Sequence, residues 1–349
     1  MTSKERVRAT LSKQKPDRVP VDFSISARAK ANMFNHYNFN SMDDVYEKFD
    51  IDIIEAAPKY IGKKLKDYTD TDGRRVTENF WGFHWKRYET ETDSFGVVSV
   101  HPLKGVDTLE ELEKYTFPNP DDFDYSPIAK MCEKYPDKAI IIGHPGSMQI
   151  ATELMPTEEL YMLMASEPEV AQAIFDGMLE FELEYYKRCF IAGNGKIDIL
   201  RTHDDFGTQI SMLFSEEMWV KFFKNNIKKL CDLSHKYNAF FMQHSCGAVG
   251  PLIPHFIDCG VDALDPIQKV TSLYIEDLLK FKGKITFHGG IDTQDILPKG
   301  TSEEVSQEVR NYIENLATDG GFILSASQTL QVDIPYKNIE AIYFTSRYV

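Results

Sequence analysis

The sequence predicts an α/β protein whose 349 residues form one domain, a single (β/α)8 barrel spanning residues 1–349. Short apolar runs typical of buried strands alternate with segments of helical length, and this alternation becomes regular from about residue 138 onward. Repeated βα units imply parallel strands, and roughly eight such units in a chain of this length favour a closed barrel. A doubly wound open sheet is the alternative that the same alternation allows.

The N-terminal part contains one helix, two strands and an insertion. Thr2 and Glu5 have the spacing of a capping box, which predicts that a first helix begins there. Residues 18–23 and 51–56 are the first two predicted strands. Residues 76–103 carry alternating aromatic residues, so they predict an aromatic hairpin inserted into the barrel.

Strands and helices then alternate to the C-terminus. The predicted strands cover residues 138–143, 196–201, 239–243, 261–264, 285–287 and 322–324. Helices are predicted over residues 167–190, 215–235, 251–259 and 301–317, and a last helix closes the chain. Ser215 is expected to cap its helix, because Glu216 and Glu217 follow it in the first turn, where the helix dipole favours carboxylates.

Titratable residues follow the predicted strands directly. They are His144, His203, Asp204, Asp205, His244, Cys246, Asp265, His288 and Asp292. A polar residue after one strand means little, since loops are polar in general. In a barrel, however, the carboxyl ends of all strands meet at one face, and that face carries the active site. The sequence therefore predicts a functional mouth lined by these side chains.

His244 and Cys246 are the most informative pair at this mouth. Residues i and i+2 of a strand point to the same side, so the imidazole and the thiol project together from one strand end. A soft nitrogen and sulfur pair suits Zn(II). The alternative is a buried histidine and cysteine that only pack, and the isolated pattern does not exclude it.

Composition excludes several classes of protein. The formal charge is −15, with 54 acidic and 39 basic residues, which disfavours a nucleic-acid partner. No apolar run reaches the length of a membrane span, and the N-terminus lacks the apolar core of a signal peptide. The five cysteines show no paired spacing, so no disulfide framework is expected and the cytoplasm is the simplest compartment.

Several spaced motifs, in order, resemble the uroporphyrinogen decarboxylase superfamily over nearly the full chain. They lie at residues 2–7, 16–21, 204–209, 244–247, 289–294 and 333–335, with Asn338 and Ile339 after them. The decarboxylases themselves carry an arginine-rich loop after the first strand that grips substrate carboxylates. This chain has Arg28 alone there, so a decarboxylase-like lyase is kept only as the alternative. The His244–Cys246 motif instead favours the cobalamin-dependent methyltransferase branch of the superfamily.

Two relatives within that branch suggest different metal ligands. Enzymes similar to the methylcobamide:coenzyme M methyltransferases add a later cysteine, which would fall near Gln328 here, and this chain has no cysteine at that point. Methyltransferases that start ether demethylation in anaerobic acetogens have a spaced Glu, Glu, His pattern, which Glu167, Glu182 and His203 match. The preferred metal set is His244, Cys246 and His203, and the alternative set is Glu167, Glu182 and His203.

The resemblance implies transfer of a methyl group from a small methylated substrate to the cobalt of a partner corrinoid protein. A methyl ether is the expected donor, because zinc or a proton on its oxygen would stabilise the leaving charge. No D-x-H-x-x-G cobalamin motif occurs here, so Zn(II) is expected on this chain and cobalamin on the partner. The alternative is methyl transfer from a corrinoid to a thiol; the oligomeric state stays open.

Roles follow for the remaining mouth residues. His203, Asp204 and Asp205 are the expected catalytic residues, since they can supply a proton or orient a metal ligand. The residues expected to bind substrate are His144, Asp265, His288 and Gln328.

Overall fold

The structure, a computed structural model, describes residues 1–90 and 94–347. Seven parallel strands form its central sheet, and they are β1 (Ile53–Glu55), β8 (Ala139–Pro145), β9 (Ile199–His203), β10 (Phe240–His244), β11 (Ala263–Ile267), β12 (Thr286–Ile291) and β13 (Phe322–Ala326), hydrogen-bonded in that order. The other strands are β2 (Lys59–Tyr60), β3 (Asp67–Thr69), β4 (Arg75–Glu78), β5 (His84–Glu89), β6 (Ser94–Val100) and β7 (Phe123–Asp124).

Helices cover the outside of this sheet. In chain order they are α1 (Ser3–Leu11), α2 (Ala27–Tyr37), α3 (Met42–Phe49), α4 (Leu109–Leu112), α5 (Ser126–Lys134), α6 (Ser147–Leu154), α7 (Thr157–Ser166), α8 (Pro168–Gly193), α9 (Glu216–Trp219), α10 (Asn225–Lys236), α11 (Ile253–Cys259), α12 (Ile275–Leu278), α13 (Ile296–Lys299), α14 (Ser302–Leu316) and α15 (Tyr336–Thr345). A π-helical turn over Val220–Lys224 joins α9 to α10, so the predicted helix 215–235 is continuous. Ser215 caps it as expected, accepting a hydrogen bond from Met218 N.

Residues 20–22 close the sheet into a barrel. On one side Asp22 N donates to Leu324 O at 3.0 Å, and Leu324 N donates to Pro20 O at 2.9 Å. On the other side Asp52 N donates to Val21 O at 3.0 Å. The predicted first strand is thus reduced to a single bridge at Val21, because Pro20 has no N–H to extend the ladder. The barrel prediction is confirmed, and the open-sheet alternative is wrong.

Helix α1 seals the amino-terminal end of the barrel. Thr2 and Glu5 form the predicted capping box at its start. Val7 and Leu11 pack into a buried cluster with side chains from inside the barrel, which are Ile53, Ala139, Ile141, Ile199, Met242, Ala263 and Ile323. Because apolar residues fill this end, the opposite, carboxyl end of the strands is left for a cavity.

The inserted aromatic hairpin is larger than predicted. Strands β3 to β6 form a four-stranded antiparallel sheet that begins at Asp67, before the predicted boundary of residue 76. Strand β3 was missed because its three residues are exposed and lack apolar alternation. A turn in which the Asp70 carboxylate accepts hydrogen bonds from Asp72 N and Arg74 N joins β3 to β4.

Strand β12 is also longer than predicted. The apolar pattern ended at Phe287, but the strand continues through His288 and two glycines to Ile291. His288 is therefore held inside a strand rather than in a loop. Within the described residues, no helix has both the length and the apolar character needed to cross a membrane.

Candidate functional site

A cavity of about 420 Å³ lies at the carboxyl ends of the barrel strands. This volume falls in the range of small-molecule sites. The side chains that line it are Asp22, Ser24, Trp85, Gln149, Glu153, Arg201, His203, Asp205, His244, Asp265, Pro266, His288, Ser325, Ala326, Ser327, Gln328 and Thr329. Residues in or directly after each of the strands β9 to β13 line the cavity, and Trp85 of the inserted sheet also lines it.

His244 and Cys246 project together at this end of the barrel, as the strand alternation predicted, and His244 lines the cavity. Their Nε2 and Sγ atoms are 3.4 Å apart. Ser245, between them, points the other way and is buried, where its Oγ accepts a hydrogen bond from Phe206 N at 3.0 Å. The buried serine therefore fixes the direction in which its two neighbours face.

Asp205 completes a group of three ligand atoms. Its Oδ1 accepts a hydrogen bond from Cys246 N at 2.9 Å and lies 3.6 Å from His244 Nε2. The carboxylate oxygen, the imidazole nitrogen and the sulfur all lie within 4.8 Å of one another. In the described part of the chain, this is the one group of three such side chains with that closeness.

The donor set fits Zn(II). Ordinary zinc bond lengths and tetrahedral angles place neighbouring ligand atoms about 3.4–3.6 Å apart. The separations of 3.4 Å from His244 Nε2 to Cys246 Sγ and of 3.6 Å from His244 Nε2 to Asp205 Oδ1 agree with that spacing. Thiolate, imidazole and carboxylate are also the three ligand types that zinc takes in proteins.

Asp265 links two imidazoles behind this group. Its Oδ2 lies 2.8 Å from His244 Nδ1, and its Oδ1 lies 2.6 Å from His288 Nδ1. His288 Nε2 in turn lies 3.0 Å from Asp22 Oδ2. A carboxylate behind a ligating histidine fixes the ring and its tautomer, so this chain of contacts suits a metal site.

Charges in this network stabilise one another against burial. Burial disfavours ionisation of Asp265, but His288 and His244 hold its pKa well below the usual range. Burial likewise opposes protonation of His288, but Asp265 and Asp22 raise its pKa to about 9. His288 is therefore an imidazolium between two carboxylates at neutral pH.

Gln328 lies at the position where enzymes similar to the coenzyme M methyltransferases would have a further cysteine ligand. It follows β13, and its Nε2 donates to Cys246 Sγ at 2.6 Å. The side chain thus touches the sulfur of the three-donor group and lines the cavity, and its expected role in substrate binding stays a prediction.

His203 lies beside the three-donor group without belonging to it. Its ring centroid is 4.8 Å from that of His244, and the two planes are tilted by 48°. It lines the cavity, so it is placed to contact a bound molecule. The preferred metal set thus differs from the geometry at one position, because Asp205 occupies the place that was predicted for His203.

Asp204 does not face the cavity, which corrects its expected catalytic placement. It is buried, and its Oδ1 accepts hydrogen bonds from Met148 N at 2.7 Å and Gln149 N at 3.2 Å. Burial raises its pKa to about 6. Asp204 therefore caps the start of α6, because successive residues of an extended segment point to opposite sides.

The alternative set of Glu167, Glu182 and His203 is not brought together. Glu167 precedes α8 and is exposed, whereas Glu182 lies buried near the middle of that helix. Fifteen residues of helix separate them by about 22 Å, too far for one metal ion. Glu182 instead accepts a hydrogen bond from Ser147 Oγ at 3.2 Å, and burial with the nearby Asp204 raises its pKa well above the usual range.

His144 and Asp292 are the remaining residues that were predicted to follow strands. His144 lies at the end of β8, but its side chain is outside the described residues, so its expected role in substrate binding stays a prediction. Asp292 is engaged at the start of a turn, where its carboxylate accepts hydrogen bonds from Gln294 N and Asp295 N.

Of the cavity-wall residues that the sequence analysis did not assign to the site, five have charged, amide or aromatic side chains. They are Asp22, Trp85, Gln149, Glu153 and Arg201. Arg201 lies two residues before His203 on β9, so strand alternation alone places both on one side. Gln149 and Glu153 are four residues apart on α6, which places both on one helix face. Those two spacings were available in the sequence, but the direction of α6 was not.

Comparison with known proteins agrees with this architecture. Residues 91–347 match the family model described as "Uroporphyrinogen decarboxylase (URO-D)", whereas no match was found among curated proteins. A solved methyltransferase from Methanosarcina mazei is 16% identical, with a TM-score of 0.68, and the alignment covers 99% of this chain and 98% of that chain. At that identity the likeness shows the fold alone.

More distant structures add nothing to this. A dihydropteroate synthase from Anaplasma phagocytophilum is 15% identical, covering 48% of this chain and 66% of that one, with a TM-score of 0.33. A family 2 AP endonuclease from Brucella melitensis is 12% identical, covering 62% and 82%, with a TM-score of 0.37. The family match spans well over half of the chain and confirms the resemblance seen in its motifs: the chain belongs to the uroporphyrinogen decarboxylase family.

Proposed function

We propose that this chain is a methyltransferase that moves a methyl group from a small methyl ether to the cobalt of a corrinoid carried by a separate protein. Zn(II) is the metal we assign to it, with Asp205, His244 and Cys246 as ligands. The observation that carries the proposal is this three-donor group beside a cavity of small-molecule size, backed by Asp265 on His244 Nδ1. The full-length likeness of fold to a methyltransferase supports the same class.

The charges of the cavity disfavour the decarboxylase alternative. Among the described residues that line the cavity, Arg201 is the one lysine or arginine, and it lies 3.6 Å from Asp265. Three carboxylates share the wall, from Asp22, Asp205 and Asp265, beside the partly protonated carboxyl group of Glu153. A substrate with several carboxylates would meet repulsion there.

Arg28, the single arginine of the predicted loop, does not compensate for these carboxylates. It lies on α2 and donates to Thr90 O and to the Glu89 carboxylate on the inserted sheet. A small neutral ether suits this cavity better than a polycarboxylate does.

The chain's own residues prepare the site for an ether. Asp265 keeps the proton of His244 on Nδ1, which leaves Nε2 directed at Asp205 and Cys246. The hydrogen bond from Cys246 N fixes the Asp205 carboxylate. Bound zinc would supply Lewis acidity toward the ether oxygen. A single thiolate among the ligands leaves more positive charge on the metal than two would, which favours an oxygen donor over a thiol acceptor.

Transfer from the corrinoid to a thiol is the second candidate function, because the His244–Cys246 motif resembles enzymes of that type. It predicts that an added thiol, such as coenzyme M, removes the methyl group from methylcob(III)alamin. Ether-to-cobalt transfer predicts the reverse flow, in which cob(I)alamin is consumed when an ether is added. One cobalt spectrum therefore distinguishes the two directions.

Metal content and methyl transfer test the proposal together. His244→Ala and Cys246→Ser should each reduce bound zinc sharply from about one per chain and abolish cobalt methylation. Glu182→Gln is the matched control, because that buried carboxyl belongs to the alternative set and lies outside the three-donor group. Full zinc retention in both ligand variants would contradict the metal assignment. Absence of cobalt methylation with every ether, beside rapid demethylation by a thiol, would replace the proposed function with the second candidate.

A further inference from the structure

We propose that Glu153 is the catalytic acid that protonates the leaving oxygen of the methyl ether. The inference rests on the proposed function and deepens it, since it names the group that completes cleavage of the carbon–oxygen bond. No sequence motif singled out this residue.

Glu153 is a buried carboxyl in the wall of the same cavity as the three-donor group. It lies on α6 and is 5% exposed. Its side chain accepts one hydrogen bond, from Gln149 Nε2 at 3.1 Å. Both residues line the cavity, because four residues of helix bring side chains onto one face.

Among the described side chains, Glu153 differs from the other carboxylates of the wall in having no cation paired with it. Asp22 and Asp265 contact His288, and Asp205 lies near His244. No lysine, arginine or histidine whose side chain is described forms an ion pair with the Glu153 side chain; the side chain of His144 lies outside that set. A carboxyl that is buried without a cation favours its neutral form, which is the form that can give a proton.

The helix that carries Glu153 is held at both ends. Asp204 caps its first turn through Met148 N and Gln149 N. At its last turn, His101 Nδ1 lies 2.9 Å from the Glu153 carbonyl oxygen, and Leu103 N donates to Leu154 O at 2.8 Å. The acid therefore has a fixed position relative to β9, the strand that also leads to Asp205.

The pKa of this carboxyl suits an acid that works near neutrality. Burial raises the pKa of Glu153 to about 7, and the hydrogen bond from Gln149 opposes that rise. Among the described side chains, the titratable or charged groups that face the same cavity are Asp22, Arg201, His203, Asp205, His244, Asp265 and His288, and His101 contacts the Glu153 backbone. A substantial share of molecules thus carries the proton at pH 7.

The proposed step balances. Cob(I)alamin supplies the electron pair of the new cobalt–carbon bond, so cobalt is oxidised from Co(I) to Co(III). The ether carbon–oxygen bond breaks, and its electron pair stays on oxygen. The Glu153 O–H bond breaks as the leaving oxygen takes its proton and becomes an alcohol or phenol. Water then restores the proton to the Glu153 carboxylate.

The test compares ethers whose leaving oxygens need a proton to different degrees. The acceptor is cob(I)alamin, and the donors are anisole and 4-nitroanisole, whose nitrophenoxide leaves without protonation. Glu153→Gln should slow transfer from anisole by about 100-fold or more, the usual contribution of a general acid. Transfer from 4-nitroanisole should change far less. Glu158→Gln, an exposed change at the start of α7, is the matched control and should leave both rates unchanged.

A pH profile gives a second reading that a merely structural role would not move. Because the protonated form acts, wild-type transfer from anisole should decline as the pH rises through about 7, and Glu153→Gln should lack this decline. Gln149→Leu removes a hydrogen bond that favours the carboxylate, so the decline should shift to higher pH. This second variant keeps the test valid if Glu153→Gln folds poorly.

The outcomes separate this inference from the proposed function. If the wild-type protein transfers methyl groups from no ether, the proposed function fails and this inference fails with it. If wild type is active but Glu153→Gln slows both donors equally, or neither, and Gln149→Leu leaves the pH profile in place, the acid role alone is overturned. Selective loss with anisole, together with the two pH effects, supports it.

Discussion

Asp265→Asn should weaken zinc binding although Asp265 touches no proposed ligand atom directly. The carboxylate lies 2.8 Å from His244 Nδ1 and 2.6 Å from His288 Nδ1, so both rings place their Nδ1 protons on it. An amide offers one oxygen and one NH2 group. One imidazole must therefore face a donor, and if it is His244, its proton has to move to Nε2, the atom directed at Asp205 and Cys246.

The magnitude follows from how this contact supports the ligand. Loss of the carboxylate behind a ligating histidine lowers metal affinity by about 10–100-fold. This corresponds to about 1.4–2.8 kcal/mol of binding free energy. The upper part of this range is expected here, because Asp265 also balances the positive charge of His288. Burial lowers the pKa of His288, but Asp265 and Asp22 outweigh burial and raise that pKa to about 9.

Competition against a chromophoric zinc chelator at neutral pH measures the change. Asp22→Asn is the matched control, since Asp22 contacts His288 Nε2 and lies one ring further from His244. It should alter the zinc dissociation constant much less than Asp265→Asn does. Equal dissociation constants for wild type and Asp265→Asn, in a protein with unchanged circular dichroism, would refute the reasoning.

Three further predictions concern residue 328 beside the thiol, the closed end of the barrel and the buried imidazolium. Gln328→Cys should raise zinc affinity by about tenfold or more in the same competition assay, because the variant has a second thiol beside that of Cys246 in a site suited to soft ligands. An unchanged affinity would show that residue 328 does not face the metal. Asp52→Ala should lower the free energy of unfolding, measured in urea, by about 3–5 kcal/mol, since the guanidinium groups of Arg6 and Arg18 lose their shared buried carboxylate. A loss below about 1 kcal/mol would contradict this expectation. The pKa of His288 is raised in the folded state from 6.5 to about 9, so its contribution to the free energy of unfolding is complete below pH 6.5 and is lost as the pH rises through 9. His288→Gln should remove that alkaline decline of stability in urea titrations. An identical decline in the variant would exclude His288 as its source.

Features set by local sequence were predictable. The capping box at Thr2 and Glu5 and the N-cap at Ser215 lie where their side chains reach nearby backbone N–H groups, which depends on a few residues only. The direction of His244 and Cys246 followed from strand alternation. The barrel itself followed from repetition of one βα unit, because that repeat has few ways to bury both faces of its sheet.

Features set by distant partners were not predictable from local pattern. Asp22 and His288 are 266 residues apart in sequence, yet their side chains are 3.0 Å apart because residues 20–22 pair with β13. The Glu167–Glu182 pattern matched a spacing in sequence, but helix α8 separates the two carboxylates along its axis. Spacing alone did not state whether the intervening chain was extended, turned or helical.

The end of β9 shows how one short segment builds both sides of the site. His203 and Asp205 face the cavity, whereas Asp204 between them faces away and caps α6. The sequence assigned all three the same role, since it placed them at one strand end without their alternation. Because Asp204 fixes the helix that carries Glu153, and Asp205 accepts from Cys246 N, the proposed acid and the proposed metal ligands are positioned by adjacent residues. Their relative placement is thereby set by one peptide unit of the barrel rather than by two independent loops.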